Sequence, residues 1–143
     1  MVRVLATGVF DIIHPGHIFF LAAAKALGDE LIVIVSRDRI AQKIKKKPII
    51  PEKQRVEVVR ALKPVDNALL GDSEDIFKLI PLVNPDIIAL GFDQDVDEAW
   101  LESELERLNI LAKIVRIKRR LEGDFFSTSS IVCKIKDKKG AKR

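Results

Sequence analysis

Leu31-Ile32-Val33-Ile34-Val35 is an unbroken run of branched apolar residues. A strand with one wet face alternates apolar and polar side chains; an unbroken run belongs to a strand covered on both faces, as in a parallel sheet. Further short strands are read at Val2–Ala6, Asn67-Ala68-Leu69-Leu70, Ile87-Ile88-Ala89-Leu90 and Ile114-Val115. Helical spacing separates them. Ile18, Leu21, Ala22, Ala24 and Leu27 predict a helix from Gly16 to Leu27, closed by Gly28. Pro51-Glu52 opens a second, carrying Val56, Val59 and Leu62 and stopped by Pro64. Asp72 or Ser73 caps a third, with Ile76, Leu79 and Ile80. Asp97 to Leu108 forms a fourth, with Trp100, Leu101, Leu105 and Leu108 on one face. Ser127-Thr128-Ser129-Ser130 is the capping cluster of a last helix. Residues 36–50 and 116–126 are expected to be basic loops. This alternation predicts an α/β chain with a doubly wound, five-stranded parallel sheet and right-handed crossovers. A length of 143 residues suits one domain with a proper core.

In such sheets ligands sit beyond the carboxyl ends of the strands, where the strand order reverses. The loop that leaves the first strand is Thr7-Gly8-Val9-Phe10-Asp11-Ile12-Ile13-His14-Pro15-Gly16-His17. It carries the chain's 2 histidines. They fall at a strand-to-helix turn, where a helix N-terminus offers unpaired N–H groups and partial positive charge, a setting for phosphate. Gly16 admits a ligand close to the backbone, and Pro15 suits the first helical position. A zinc pair is the other use of two histidines. Zinc takes three or four N, S or O ligands, and the chain offers 2 histidines and 1 cysteine, so no metal site is expected.

The bulk composition narrows the partners. Net charge is +4, with basic runs at Lys43-Lys45-Lys46-Lys47, Arg116-Lys118-Arg119-Arg120 and the tail from Lys134 to Arg143. Such runs suit nucleic acid, a triphosphate, or solvent alone. The tail, from about residue 138, is expected to fray. The lone Cys133 rules out an intrachain disulfide framework and fits a reducing cytoplasm. No apolar run approaches the roughly 18 residues of a membrane span, and the start reads as a strand rather than a signal peptide.

Thr7-Gly8-Val9-Phe10-Asp11 followed by His14-Pro15-Gly16-His17 resembles the (T/G)xFDxxHxGH signature of the nucleotidyltransferase superfamily. That superfamily includes cytidylyltransferases, pantetheine-phosphate adenylyltransferases and archaeal FAD synthases. The resemblance spans about residues 2–135 and implies a Rossmann-like single domain over 1–143. It also implies a site. His14 and His17 would hold α-phosphate oxygens, and Lys46 of the basic loop, with Lys45 as the alternative, would meet charge in the transition state. Arg55 matches the family's arginine at the start of a helix. Gly91-Phe92-Asp93 looks like the GxD turn that contacts base or ribose. Ser127, Thr128 and Ser129 look like the second signature, which holds the β- and γ-phosphates. Arg120-Leu121-Glu122-Gly123 resembles the stretch that precedes it. The chain departs from the pattern at Asp124-Phe125, two extra residues, and at Lys134, where an arginine one step earlier is usual. Thr7, Gly8, Val9, Phe10, Asp11 and Gly16 complete the implied nucleotide site. Asp11 is expected to brace the loop by accepting backbone N–H bonds, with help in placing Mg²⁺ as its second reading.

The implied reaction is direct phosphoryl transfer, in which a phosphate monoester attacks the α-phosphorus of a nucleoside triphosphate carrying Mg²⁺ or another divalent cation. Pro48-Ile49-Ile50-Pro51-Glu52, Ala61-Leu62-Lys63-Pro64-Val65-Asp66 and Gly91-Phe92-Asp93-Gln94 resemble archaeal FAD synthases more than glycerol-3-phosphate enzymes. Phe92, Phe125 and Phe126 offer a flat wall for an isoalloxazine ring. The expected substrates are therefore ATP, or CTP, and FMN. No nucleic acid or membrane partner is expected, and a homodimer follows from the family's habit. A cytidylyltransferase acting on glycerol 3-phosphate is the alternative within the fold. A basic, non-enzymatic nucleic-acid-binding domain is the alternative outside it, and salt-dependent nucleic-acid affinity without nucleotide turnover distinguishes it.

Overall fold

The computed structural model describes residues 1–43, 47–117 and 135. The strands are β1 (Arg3–Gly8), β2 (Glu30–Val35), β3 (Asn67–Leu70), β4 (Ile87–Leu90) and β5 (Lys113–Arg116). All pair in parallel, in the order β3-β2-β1-β4-β5. The expected Rossmann-like, doubly wound five-stranded sheet is what forms. The strand order reverses between β1 and β4.

Side-chain alternation sends each strand's residues into two cores. Val4, Ala6, Leu31, Val33 and Val35 pack with Leu21 and Ala24 of α1 (Pro15–Lys25) and Val56 and Val59 of α3 (Glu52–Arg60). Leu5, Ile32, Ile34, Ile88 and Leu90 point the other way, onto Ile80 and Val83 of α4 (Ile80–Val83) and Leu101 and Leu105 of α5 (Glu98–Arg107). Both faces of β1 and β2 are therefore dry, which is why their sequences lack alternation. Truncating Leu5 or Ile34 to Ala costs about 2–5 kcal/mol.

Some elements differ from the sequence-based expectation. A short helix α2 (Asp38–Lys43) lies within the stretch expected to be a basic loop; burial of Ile40 and Ala41 supports it. The helix expected from Asp72 or Ser73 is instead two pieces, a 3₁₀ turn over Ile76–Leu79 and then α4. Asp75 caps the first by accepting from Phe77 N at 2.9 Å, and Pro81 has no N–H to carry one continuous ladder. Asp97 is the N-cap of α5. Trp100 does not share the buried stripe of Leu101 and Leu105; it is half exposed and leans on Phe77, one helical step aside. Arg116 ends β5 rather than opening a loop. The expected last helix and the basic tail from about residue 138 lie outside the described residues.

Candidate active site

The central strand β1 ends at Gly8, and the geometry of the histidine loop starts there. A Cβ on Gly8 would sit 2.8 Å from the Phe10 ring, so only glycine lets that ring fold back under the loop. Phe10 itself has φ 53°, the left-handed region, which costs a non-glycine residue about 1–2 kcal/mol. The buried ring offsets that strain. It meets His17 edge-on, with ring centroids 5.4 Å apart at 61°. His17 in turn stacks on His14 at 3.7 Å and 24°.

His14 is the N-cap of α1: its Nδ1 accepts from Gly16 N at 3.1 Å. That bond leaves the imidazole proton on Nε2, a donor. The side chain is 7% exposed, and burial lowers its pKa below the ordinary imidazole range. Pro15 lacks the N–H the first turn cannot use, and no acidic residue sits in that turn to compete for an anion.

Two side chains tie this loop to the segment that follows the lysine run. The Asp11 carboxylate accepts from Ile49 N at 2.9 Å and Ile50 N at 2.8 Å. Arg55, expected to meet nucleotide, is fully buried beneath the loop in α3. Its Nη1 donates to Val9 O at 2.6 Å, its Nε to Ile50 O at 2.9 Å, and its Nη2 pairs with Asp38 at 2.6 Å. Glu52 continues the network, accepting from Asp38 N at 3.0 Å and Arg37 Nη1 at 2.8 Å.

Across the crevice, Gly91 to Gln94 form a tight turn closed by Gln94 N to Gly91 O at 3.2 Å. Phe92 and Asp93 are its exposed corner. Arg116 grips the turn from β5: Nη1 donates to Gly91 O (2.9 Å) and Gln94 O (2.7 Å), Nη2 to Val96 O (3.1 Å), and Nε pairs with Glu98 (2.7 Å). Gln94 reaches back to β1. Its Nε2 donates to Thr7 Oγ1 at 2.9 Å, and its Oε1 accepts from Gly91 N at 3.1 Å. The Thr7 hydroxyl, expected to face nucleotide, is 2% exposed and engaged by Gln94.

The fold thus gathers Gly8, Val9, Phe10, Asp11, His14, Gly16 and His17 at the carboxyl end of β1, facing Gly91 and Asp93 at the end of β4. Lys45, Lys46, Arg120, Phe125, Phe126, Ser127, Thr128 and Ser129 lie outside the described residues. Sequence reasoning missed Gln94, Arg116, Asp38 and Glu52 as parts of the framework. Among the described residues no group of three or more His, Cys, Asp or Glu could hold a metal ion. No helix among them is long and apolar enough to cross a membrane.

The family described as Cytidylyltransferase-like matches residues 5–134. A protein named FAD synthase from Archaeoglobus profundus is 59% identical over 137 residues, 96% of this chain and 88% of that protein. One of the same name from Ferroglobus placidus is 55% identical over 135 residues, 94% and 88% of the two chains. Among solved structures, a protein titled lipopolysaccharide core biosynthesis protein from Thermoplasma volcanium superposes with a TM-score of 0.82 at 50% identity, covering 85% of this chain and 99% of that one. A stacked histidine pair at the mouth of the central strand, on this sheet and with these relatives, leads to one assignment: the chain belongs to the cytidylyltransferase-like family.

Proposed function

We propose that this enzyme is an FMN adenylyltransferase. An FMN phosphate oxygen attacks the α-phosphorus of ATP, the bond from that phosphorus to the β-phosphate oxygen breaks, and FAD and pyrophosphate leave. The observation that carries the reading is the His14–His17 stack at the N-terminus of α1, in a chain 49–59% identical to archaeal proteins named FAD synthase. In-line transfer needs donors aimed at the α-phosphate oxygens as charge gathers there, and little else from side chains. Neutral His14 offers Nε2–H, and His17 lies beside it. Gly16, which lets a ligand approach the backbone, and the loop from Gly8 to Asp11 complete the phosphate side. Gly91 and Asp93 take ribose or base. Lys46 meets the transferring group, while Arg120, Ser127, Thr128 and Ser129 take the outer phosphates. Thr7 and Arg55 act from below, by holding the loops that touch nucleotide.

Both Asp11 oxygens are engaged by the backbone at 49 and 50, so Asp11 is read as a brace. A divalent cation, Mg²⁺ first, is read as part of the substrate, riding on the triphosphate. The working protein is read as a single cytoplasmic domain over 1–143, a homodimer, and without nucleic-acid partners.

The test is direct. The protein, FMN, ATP and Mg²⁺ should yield FAD and pyrophosphate. The same protein with CTP and glycerol 3-phosphate is the control. No FAD, together with brisk CDP-glycerol, overturns the flavin reading and leaves nucleotidyl transfer standing. Lys46→Ala should lower kcat where Lys43→Ala does little; equal small effects return the lysine run to solvent.

A further inference from the structure

The ladder between β1 and β4 ends early. Its paired residues are Val4 with Ile87, Leu5 with Ile88 and Ala6 with Ala89. Beyond that point the two strands part, each following its outer neighbour. Gly8 stays in register with Val35 of β2, and Ser36 N donates to Gly8 O at 2.8 Å. Leu90 stays in register with Arg116 of β5, and Ile117 N donates to Leu90 O at 2.8 Å. The split is the crevice in which a nucleotide would lie.

The Gln94 side chain bridges that split. Its carboxamide has the same groups as a peptide unit, one carbonyl acceptor and N–H donors. The acceptor takes Gly91 N at 3.1 Å, and the donor reaches Thr7 O at 3.3 Å and Thr7 Oγ1 at 2.9 Å. In effect one more rung is added where the backbone ladder has stopped. The rung is anchored from behind, because Arg116 holds Gln94 O and Gly91 O with one nitrogen. On one side of the rung lies the loop that presents His14 and His17. On the other lies the corner bearing Phe92 and Asp93.

We infer that Gln94, anchored by Arg116, is a positioning residue that sets the width of the crevice and so the spacing between the phosphate side and the ribose–base side. This rests on the nucleotide reading above but not on the identity of the acceptor. A ligand that touches both sides feels the width; a ligand that touches only one does not. ATP is the first kind. Inorganic tripolyphosphate, which has no ribose or base, is the second.

The experiment measures Kd for both ligands, in Mg²⁺, by calorimetry on the full chain. Gln94→Met keeps length and apolar bulk but removes the rung. It should weaken ATP about tenfold, since the rung's three hydrogen bonds at a partly buried site are lost, and change tripolyphosphate by less than about twofold. Gln94→Leu also removes the rung, with a different apolar shape and no added charge, so it should match Gln94→Met. It also gives the same comparison should Gln94→Met not fold. Equal weakening of both ligands, or none of either, overturns the inference. A wild-type protein that binds ATP yet makes no FAD overturns the acceptor assignment alone. One that binds neither ligand overturns both.

Discussion

The two sides of the crevice are held by different means. The loop from Gly8 to His17 is held mainly by packing within itself, with Asp11 and the buried Arg55 tying it to residues 49 and 50. Gly8 makes room for Phe10, Phe10 supports His17, His17 stacks on His14, and His14 caps the helix two residues on. The turn from Gly91 to Val96 is held from outside, by Arg116 from 20 to 25 residues away and, through Gln94, by Thr7 87 residues away. The first arrangement stores backbone strain at Phe10 and is locked by ring packing, so it meets a ligand already shaped. The second is a clamp with one arginine as its hinge pin. A site built this way keeps its chemistry rigid and leaves recognition adjustable by single substitutions.

The contrast can be broken most forcefully at the histidines. His17→Ala, on a folded protein, should cut kcat by about 10² or more, because only bonds made to developing charge are lost. His14→Ala should do the same and lose about 1 kcal/mol of helix capping besides. Steady-state FAD formation alongside thermal midpoints measures both, and a folded variant at near wild-type rate sinks the phosphate-side assignment. Gly8→Ala comes next. Its methyl at 2.8 Å from the Phe10 ring forces the ring to move, so stability should drop by about 1–3 kcal/mol and the histidine stack should shift with it. A variant of wild-type stability would mean that the loop is not self-supporting.

Arg116→Met sharpens the other half. The clamp is partly exposed, so stability should fall by only about 1 kcal/mol, read from denaturant midpoints. KM for ATP should rise about tenfold with kcat held within about threefold, since on the proposed reading the turn supplies ground-state contacts. A kcat loss with KM unchanged would put Arg116 on the chemical side. The smallest effect is a pH dependence. His14 has its pKa lowered by burial, so the unfolded chain binds that proton first. Stability tied to His14 is therefore complete above the ordinary imidazole value and lost as pH falls from there through the folded value. His14→Asn, which keeps a capping side chain, should flatten that part of a midpoint-against-pH curve.

These differences in support explain what could be read from sequence. The run from Leu31 to Val35 reveals a two-faced burial because no partner need be known to see it. The histidine stack is equally plain, since its ring and capping contacts fall within a dozen residues and its glycine, proline and imidazoles have local reasons. Gln94 and Arg116 carry no such mark. An arginine at a strand end looks solvated until Gly91, Gln94 and Val96 turn their carbonyls toward it. Arg55 shows the same limit from the other direction: its place after Pro51 suggests a ligand, but the convergence of Val9, Ile50 and Asp38 that buries it is a tertiary event. α2 was hidden because six residues are too few for periodicity to register.

The position of β1 at the centre of the sheet bears on how the protein fails. Hydrogen exchange sorts a fold into units that open at different free energies, and central strands belong to the last. The amides of β1 donate between two neighbours and are covered on both faces, so they exchange only when the whole domain opens. β3 and β5, each with a single neighbour among the described residues, open earlier. The histidine loop springs from the slowest-exchanging strand. On heating, then, its scaffold persists until global unfolding, and loss of the phosphate side coincides with loss of the fold, while the Arg116 clamp, rooted in an edge strand, lets go first.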